Sequence, residues 1–166
     1  HLAFSAIGAV ILVALSFLTP RETRRAALVL LALAMAGLVA VHLTGREING
    51  ARRWLSLAGH SIQPSEFLKP AFVVVSAWLF AEARQRPDMP ALPAAIVLFA
   101  VVVGFLVVQP DVGQTLLLSL VWGAMFFVSG QPLILAGGAA AFAGVALVAA
   151  YVRFPHVQYR IDRFLD

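Results

Sequence analysis

The chain has 166 residues, of which 61% are apolar and only 12% charged, and its mean hydropathy is +0.93. Soluble domains are usually about 45 to 50% apolar and about 25% charged, so this composition excludes an ordinary soluble domain. The absence of cysteine excludes disulfide bonds and thiolate zinc sites. The formal net charge of +4 is spread between apolar runs, a distribution that does not indicate nucleic-acid binding.

Six apolar stretches follow one another along the chain, and each approaches the roughly 20 residues that a helix needs to cross a bilayer. Long runs are apolar on every face, whereas the strands of a membrane barrel alternate apolar and polar residues. The sequence therefore predicts an all-α, polytopic membrane helix bundle that forms one transmembrane domain over residues 1–166. The predicted spans cover residues 2–18, 26–43, 67–83, 92–108, 112–128 and 133–152.

The connections between these spans carry most of the charge. If the spans alternate across the membrane, five Arg lie on one side and six on the other, so the positive-inside rule gives no orientation. Basic residues kept on a translocated side favour an anionic ligand, and contact with lipid phosphates is an equal alternative. The longest connection, residues 44–66, is rich in Arg. The chain begins at His1 and ends in a charged segment, so we expect it to be part of a longer protein.

The start of the third span combines helix-start signals with a charge inside an apolar run. Pro64 suits the first helical position, and Glu66 falls in the first turn, where a carboxylate complements the helix dipole. Lys69 follows three residues later on the same face. Charges at that depth usually face a cavity or a partner, so we favour a functional role. Glu66 would keep Lys69 ionised, and Lys69 with nearby Arg side chains would hold a phosphate group.

Asp111 is the second acidic residue placed between two spans with almost no loop. It lies in the segment Gln-Pro-Asp-Val-Gly at residues 109–113. The tight turn predicts that the carboxylate caps the next helix, and an ion pair with an Arg side chain is compatible with that role. Sequence spacing does not say which Arg that would be.

The three tryptophans have a structural interpretation. Trp54, Trp78 and Trp122 are predicted to be interfacial anchors.

No signal for a cofactor is found in the sequence. The histidines lack a second ligand at metal-like spacing, and no nucleotide-binding motif is present. The sequence therefore assigns no cofactor and predicts no metal site, and a divalent cation stays an open alternative.

Four segments in order resemble the SEDS family of FtsW, RodA and SpoVE. They are Asn-Gly-Ala-Arg-Arg-Trp-Leu at residues 49–55, Gln-Pro-Ser-Glu-Phe-Leu-Lys at 63–69, Gln-Pro-Asp-Val-Gly at 109–113, and the tail at 159–166. The residues of the first segment are more similar to those of FtsW, the family member that acts in cell division, than to those of RodA. The resemblance implies a ten-helix enzyme that polymerises lipid II into glycan strands at the outer face of the bacterial cytoplasmic membrane, at the division septum. The six spans would be the family's second to seventh.

The resemblance also implies partners and an orientation. Lipid II would be the substrate, a class B penicillin-binding protein and other division proteins would be the protein partners, and membrane lipid would surround the helices. No nucleic acid is implied. Residues 44–66, the Asp111 turn and the tail would face outward. The arginines that would face the cytoplasm are Arg21, Arg24, Arg25, Arg84 and Arg86.

Site residues are implied by matching motif positions. Arg53, Glu66, Lys69 and Asp111 match positions associated with the family's central cavity. Further matches in or beside the same motifs are Arg52, Gln63, Pro64 and Ser65. The family's essential Asp follows a few residues after an earlier Asp that Asp166 matches. The catalytic carboxylate is therefore expected just past Asp166, and this chain by itself is expected to be inactive.

The chemistry of glycan transfer fits these residue types. Transfer from a polyprenyl pyrophosphate needs a base for the acceptor hydroxyl and cations for the departing pyrophosphate. We hypothesise that Arg53 and Lys69 contact the pyrophosphate while Glu66 and Asp111 fix them. A lipid II flippase or transporter would use a similar cavity without making bonds. A non-catalytic division scaffold is the third alternative, and the charges of Glu66 and Lys69 argue against it.

Overall fold

The protein, for which we use a computed structural model, consists mainly of six helices, as the sequence predicts. The structure describes residues 2–48, 51–57, 60–86, 88–109, 111–131, 133–153, 155, 158–159 and 162. Among these residues, two helices, α2 and α4, are each long and apolar enough to cross a membrane, and α5 is apolar but shorter. The helices are α1 (Leu2–Ser16), α2 (Pro20–Thr44), α3 (Pro64–Gln85), α4 (Ala91–Val108), α5 (Val112–Val128) and α6 (Leu133–Arg153).

Helix α2 begins before the apolar stretch that starts at residue 26, because its first turn is capped by polar groups. Thr19 and Glu22 form a capping box: the Thr19 hydroxyl accepts from the Glu22 amide, and Glu22 Oε2 accepts from the Thr19 amide at 2.8 Å. Pro20 occupies the start of the helix, where its missing N–H costs no hydrogen bond. The helix therefore includes Arg21 and Arg24, which hydropathy alone leaves outside it.

The long connection between α2 and α3 contains a small antiparallel sheet that the sequence analysis did not predict. Its strands are β1 (Arg46–Ile48), β2 (Ala51–Leu57) and β3 (His60–Ile62), in the order β1-β2-β3. Arg46 pairs with Trp54, and Leu55 pairs with Ile62. Strand β2 packs against both α2 and α3. The sheet thus holds Arg53 at one end of the helix bundle.

The core lies between α2, α3, α4 and α5, and large apolar side chains fill it. Leu38, Phe72, Leu106 and Phe126 are fully buried, one from each of these helices. An aromatic cluster links three helices: the Trp122 ring stacks on Phe99 with centroids 4.5 Å apart and also contacts Phe80 and Phe126. Trp122 is only 2% exposed. Its interpretation as an interfacial anchor is therefore wrong, because the ring is part of the core.

Helices α2 and α3 approach each other closely where α3 begins. A methyl group built on Gly37 would lie 2.9 Å from Cβ and 3.0 Å from Cγ of Pro64. Pro64 is buried in the first turn of α3, so its ring has little room to move. The absence of a side chain at Gly37 therefore sets the position of the α3 start, which carries Glu66 and Lys69.

We predict that Gly37→Ala lowers the stability of the whole protein by about 1–3 kcal/mol, the usual cost of overpacking a tight contact. Thermal unfolding of the purified protein in detergent measures the effect. Gly104→Ala is the matched control, because a methyl group on Gly104 of α4 has no described neighbour within 4 Å. That change should be neutral or stabilising by up to about 1 kcal/mol, since Ala favours a helix over Gly. Equal effects of the two changes would contradict the close approach.

Candidate functional site

The polar residues of the candidate site come together at the end of the bundle where α2 ends and α3 begins. Three parts of the chain contribute: strand β2 brings Arg53, the first two turns of α3 bring Glu66 and Lys69, and the turn between α4 and α5 brings Asp111. These parts are separated by up to 58 positions in sequence. The fold therefore brings together side chains that are far apart in the sequence.

Arg53 is held by the α4–α5 turn through two contacts. Its Nη1 lies 3.6 Å from Asp111 Oδ2, and its Nε donates a hydrogen bond of 3.3 Å to the backbone carbonyl of Gln109. Both charged side chains are largely buried, with exposed fractions of 18% for Arg53 and 11% for Asp111. Burial weakens competition from water, so this pair fixes strand β2 on the helix bundle.

The predicted capping role of Asp111 is only half right. Asp111 stands at the N-cap position of α5, and its backbone carbonyl accepts from the amide and the hydroxyl of Thr115 at 2.9 and 2.8 Å. Its carboxylate, however, makes no capping hydrogen bond to the described first turn of α5. The side chain is turned toward Arg53 instead, because a buried guanidinium needs a counter-charge.

Glu66 and Lys69 form the second ion pair of the site. Lys69 Nζ lies 2.7 Å from Glu66 Oε2, one turn along α3. Glu66 is half exposed, whereas Lys69 is mostly covered. Because Pro70 lacks an N–H, the helix makes no bond from that residue back to the Glu66 carbonyl. The pair places an ammonium group, with a carboxylate as its partner, beside the apolar body of α3.

Gln114 reaches the Glu66–Lys69 pair from α5, and the sequence analysis missed it. Its Nε2 donates to Glu66 Oε1 at 3.4 Å, a long hydrogen bond between α5 and α3. Asp111 and Gln114 are three residues apart, so the first turn of α5 touches both pairs. The same spacing in the sequence could have indicated Gln114, but an uncharged amide gave no reason to choose it.

Two buried amide atoms lie beside these pairs without a protein partner. Among the described residues, Gln109 Nε2 and Gln114 Oε1 are buried and make no hydrogen bond. Buried polar atoms without a partner among the described residues are uncommon. One is a donor and the other an acceptor.

The remaining predicted site residues have local roles or lie outside the description. Gln63 Nε2 donates to the Ser65 hydroxyl at 2.8 Å, and this bond shapes the turn before α3 without reaching either ion pair. The Arg52 backbone pairs with Glu47 in the sheet, but its side chain is outside the described part, so its role stays a prediction. Asp166 also lies outside the described residues. Within the described residues, no group of three or more His, Asp or Glu side chains is arranged to hold a metal ion.

Comparison with known proteins gives a consistent picture. The chain matches the FTSW_RODA_SPOVE family, described as "Cell cycle protein", over residues 1–166. It is 39% identical over 165 residues to the probable peptidoglycan glycosyltransferase FtsW of Caulobacter vibrioides, covering 98% of this chain and 42% of that protein. A protein of the same name from Mycobacterium tuberculosis is 36% identical over 137 residues, covering 78% of this chain and 24% of that protein.

Solved structures show the same arrangement of helices. The crystal structure of the rod shape determining protein RodA of Thermus thermophilus matches with a TM-score of 0.67 at 33% identity, over 84% of this chain and 47% of that chain. A structure described as a peptidoglycan synthase complex, concerned with the coordination of polymerization and crosslinking, contains a chain that matches with a TM-score of 0.68 at 30% identity. That match covers 97% of this chain and 48% of the other. The chain thus spans less than half the length of these relatives.

We predict that Arg53 and Asp111 are energetically coupled. In a double-mutant cycle of Arg53→Gln and Asp111→Asn, the double variant should lose less stability than the sum of the single changes. The expected coupling is about 1–2 kcal/mol, typical of charged neighbours that are partly buried. Thermal unfolding of the whole protein in detergent gives the four values. Asp88→Asn is the control acid, because Asp88 is exposed in the turn between α3 and α4 at the other end of the bundle. Its effect should simply add to that of Arg53→Gln.

Proposed function

The chain belongs to the FtsW, RodA and SpoVE family of cell cycle proteins, and from that membership we propose that it is part of a peptidoglycan glycosyltransferase of cell division. The substrate of this proposal is lipid II, which the whole protein polymerises into glycan strands at the outer face of the cytoplasmic membrane. The names of the relatives from Caulobacter vibrioides and Mycobacterium tuberculosis support the reaction class.

One observation links the proposed reaction to particular residues. Arg53 is paired with Asp111, and Lys69 is paired with Glu66. The first turn of α5 contacts both pairs, through Asp111 itself and through Gln114. Both lie at the end of apolar helices, where the headgroup of a lipid-linked substrate is within reach while its polyprenyl chain stays in the membrane. A soluble substrate would give no reason to place cations at this boundary.

Each side chain has a distinct part in the proposed reaction. The acceptor sugar hydroxyl attacks the anomeric carbon of the donor, a new glycosidic C–O bond forms, and the bond to the pyrophosphate oxygen breaks. Arg53 and Lys69 bind the pyrophosphate and stabilise the charge that develops on it as it leaves. Asp111 and Glu66 hold these cations in position. The hydroxyl proton goes to a base, for which a carboxylate past Asp166 in the whole protein is our candidate.

The two amides extend the same site in this proposal. Gln109 Nε2 and Gln114 Oε1 are buried and unpartnered in the described structure, so they would hydrogen-bond to the substrate's phosphate or sugar groups only after a movement of the α4–α5 turn exposes them. A donor and an acceptor are both useful, because a sugar carries hydroxyls that do both. Arg52 stays a further candidate for the pyrophosphate, whereas Gln63 and Ser65 would shape the turn that begins α3.

The orientation, location and protein partner are parts of the same proposal. The sheet in residues 44–66 and the Asp111 turn would face outward, and the other end of the bundle would face the cytoplasm. The membrane location rests on the apolar helices α2 and α4, and the division septum follows from likeness to FtsW. A class B penicillin-binding protein is the proposed partner, supported by the matching chain in a peptidoglycan synthase complex.

We predict that Lys69→Ala reduces glycan polymerisation roughly a hundredfold, the usual effect of removing one charge-stabilising donor in an active site. The assay follows polymer formation from purified lipid II by the whole protein reconstituted with its penicillin-binding partner. Lys69→Arg keeps the charge and should restore part of the rate. Arg25→Ala is the control, because it removes an exposed cation from the opposite end of the bundle and should leave the rate unchanged.

The same set of variants separates the alternatives. Normal polymerisation by Lys69→Ala would refute the assigned role of that residue. A whole protein that moves lipid II between leaflets but forms no polymer would be a transporter. A scaffold requires only recruitment, so a neutral Glu66→Gln and Lys69→Gln double variant that supports growth and septal partner recruitment would identify one.

A further inference from the structure

A charged groove lies at the opposite end of the bundle from the candidate site. It has a volume of about 640 Å³ and runs between the start of α2 and the last turns of α3. The described residues that supply its polar lining include Arg21, Arg24, Glu82 and Arg86, and Trp78 also lines it. Three guanidinium groups against one carboxylate give the groove an excess of positive charge, and the proposed glycan chemistry does not use it.

Glu82 organises this charge. It is largely buried, with 16% of its side chain exposed, and it accepts a hydrogen bond of 2.9 Å from Trp78 Nε1. Arg24 Nη1 lies 3.6 Å from Glu82 Oε1, and Arg86 Nε lies 3.4 Å from Glu82 Oε2. These distances are ion-pair contacts rather than short hydrogen bonds. The carboxylate therefore keeps two guanidinium groups near each other without using most of their N–H donors.

Arg24 is fixed from two further directions. Its Nε donates to the Pro20 carbonyl at 3.1 Å, and its guanidinium lies 5.9 Å from the centre of the Trp78 ring. A cation–π contact at this distance attracts the guanidinium group toward the ring and leaves its N–H donors available. The groove thus presents a preoriented, doubly basic edge, which is the arrangement that binds a phosphate oxygen pair.

The part of the groove wall that lies nearer the middle of α3 is apolar. Val74, Ala77 and Ala81 line it on α3, within the apolar part of that helix. A soluble anion would use the guanidinium groups but would leave this wall uncovered. An acidic peptide would place charged side chains against it, at a cost in desolvation. A molecule with an anionic head and an apolar tail covers both parts of the groove.

We propose that this groove binds one anionic phospholipid of the cytoplasmic leaflet. Arg21, Arg24 and Arg86 hold the phosphodiester, and an acyl chain lies along Trp78 and the alanine wall. The leaflet rests on the orientation in the proposed function, whereas the head-and-tail chemistry rests on the groove itself. Anionic lipids concentrate in the cytoplasmic leaflet, and each nearby basic residue contributes to their binding.

The test compares two double variants with equal loss of charge. The whole protein is reconstituted in vesicles of phosphatidylglycerol and phosphatidylcholine, extracted mildly, and its retained lipids are counted by native mass spectrometry. Arg21→Gln with Arg86→Gln should lower phosphatidylglycerol retention by more than about fivefold, the effect expected of even one basic contact. The matched control is Arg25→Gln with Arg84→Gln, two exposed cations of the same helices outside this groove. Its retention should match that of the unchanged protein.

A second measurement locates the acyl chain. Phosphatidylglycerol with brominated acyl chains should quench tryptophan fluorescence more than brominated phosphatidylcholine does, and Trp78→Phe should remove that difference. Millimolar inorganic phosphate should fail to displace the lipid, because it cannot cover the apolar wall.

Four outcomes would overturn the proposal. They are equal retention in the two double variants, equal retention of both lipids, displacement by phosphate or by a polyglutamate peptide, and quenching that does not depend on Trp78. The readouts are independent of catalysis. Polymerisation by Lys69→Ala therefore tests only the glycosyltransferase proposal, and lipid retention by the arginine variants tests only the lipid-binding proposal.

Discussion

The need to pair charges at the ends of apolar helices is the constraint on which the structure depends. A guanidinium, ammonium or carboxylate group that is covered there without a partner is costly. The largely covered ones, Arg53, Lys69, Glu82 and Asp111, are each held by an opposite charge. Arg53 with Asp111 and Lys69 with Glu66 satisfy this constraint at one end of the bundle. Arg24 and Arg86 with Glu82 satisfy it at the other. The Arg53–Asp111 and Arg24–Glu82 pairs also join separate elements, so they position those elements as well as the charges.

Hydropathy predicted the helices because each apolar run has the length of a span, but it could not predict the parts that depend on polar contacts. Helix α2 starts at Pro20 through a capping box, not through apolar residues. The strands of the long connection are short, and β2 depends on its packing against α2 and α3. Trp122 was assigned to the interface because aromatic residues favour both the interface and the core, and sequence does not distinguish them.

The residues of the candidate site were easier to choose than its contacts. A charge inside or beside an apolar run is unusual, which is why Arg53, Glu66, Lys69 and Asp111 could be named from sequence. Which cation joins which carboxylate depends on how β2 folds back on the α4–α5 turn, and no spacing encodes that. The Asp111 side chain pairs with Arg53 and does not cap α5, because a buried guanidinium without a counter-charge costs more free energy than a missing side-chain cap. Gln114 was missed because a neutral amide becomes notable only when its neighbours are known.

Helix α3 links the two ends of the molecule. Glu66 and Glu82 are sixteen residues apart on it, about 24 Å along a helix, and the hydrocarbon core of a bilayer is about 30 Å thick. The two carboxylates therefore lie at opposite ends of α3, each with its own cations. A shift of α3 along its axis would move both clusters at once. The close contact between Gly37 and Pro64 opposes such a shift, so the contact that sets the start of α3 also sets the position of both charged clusters.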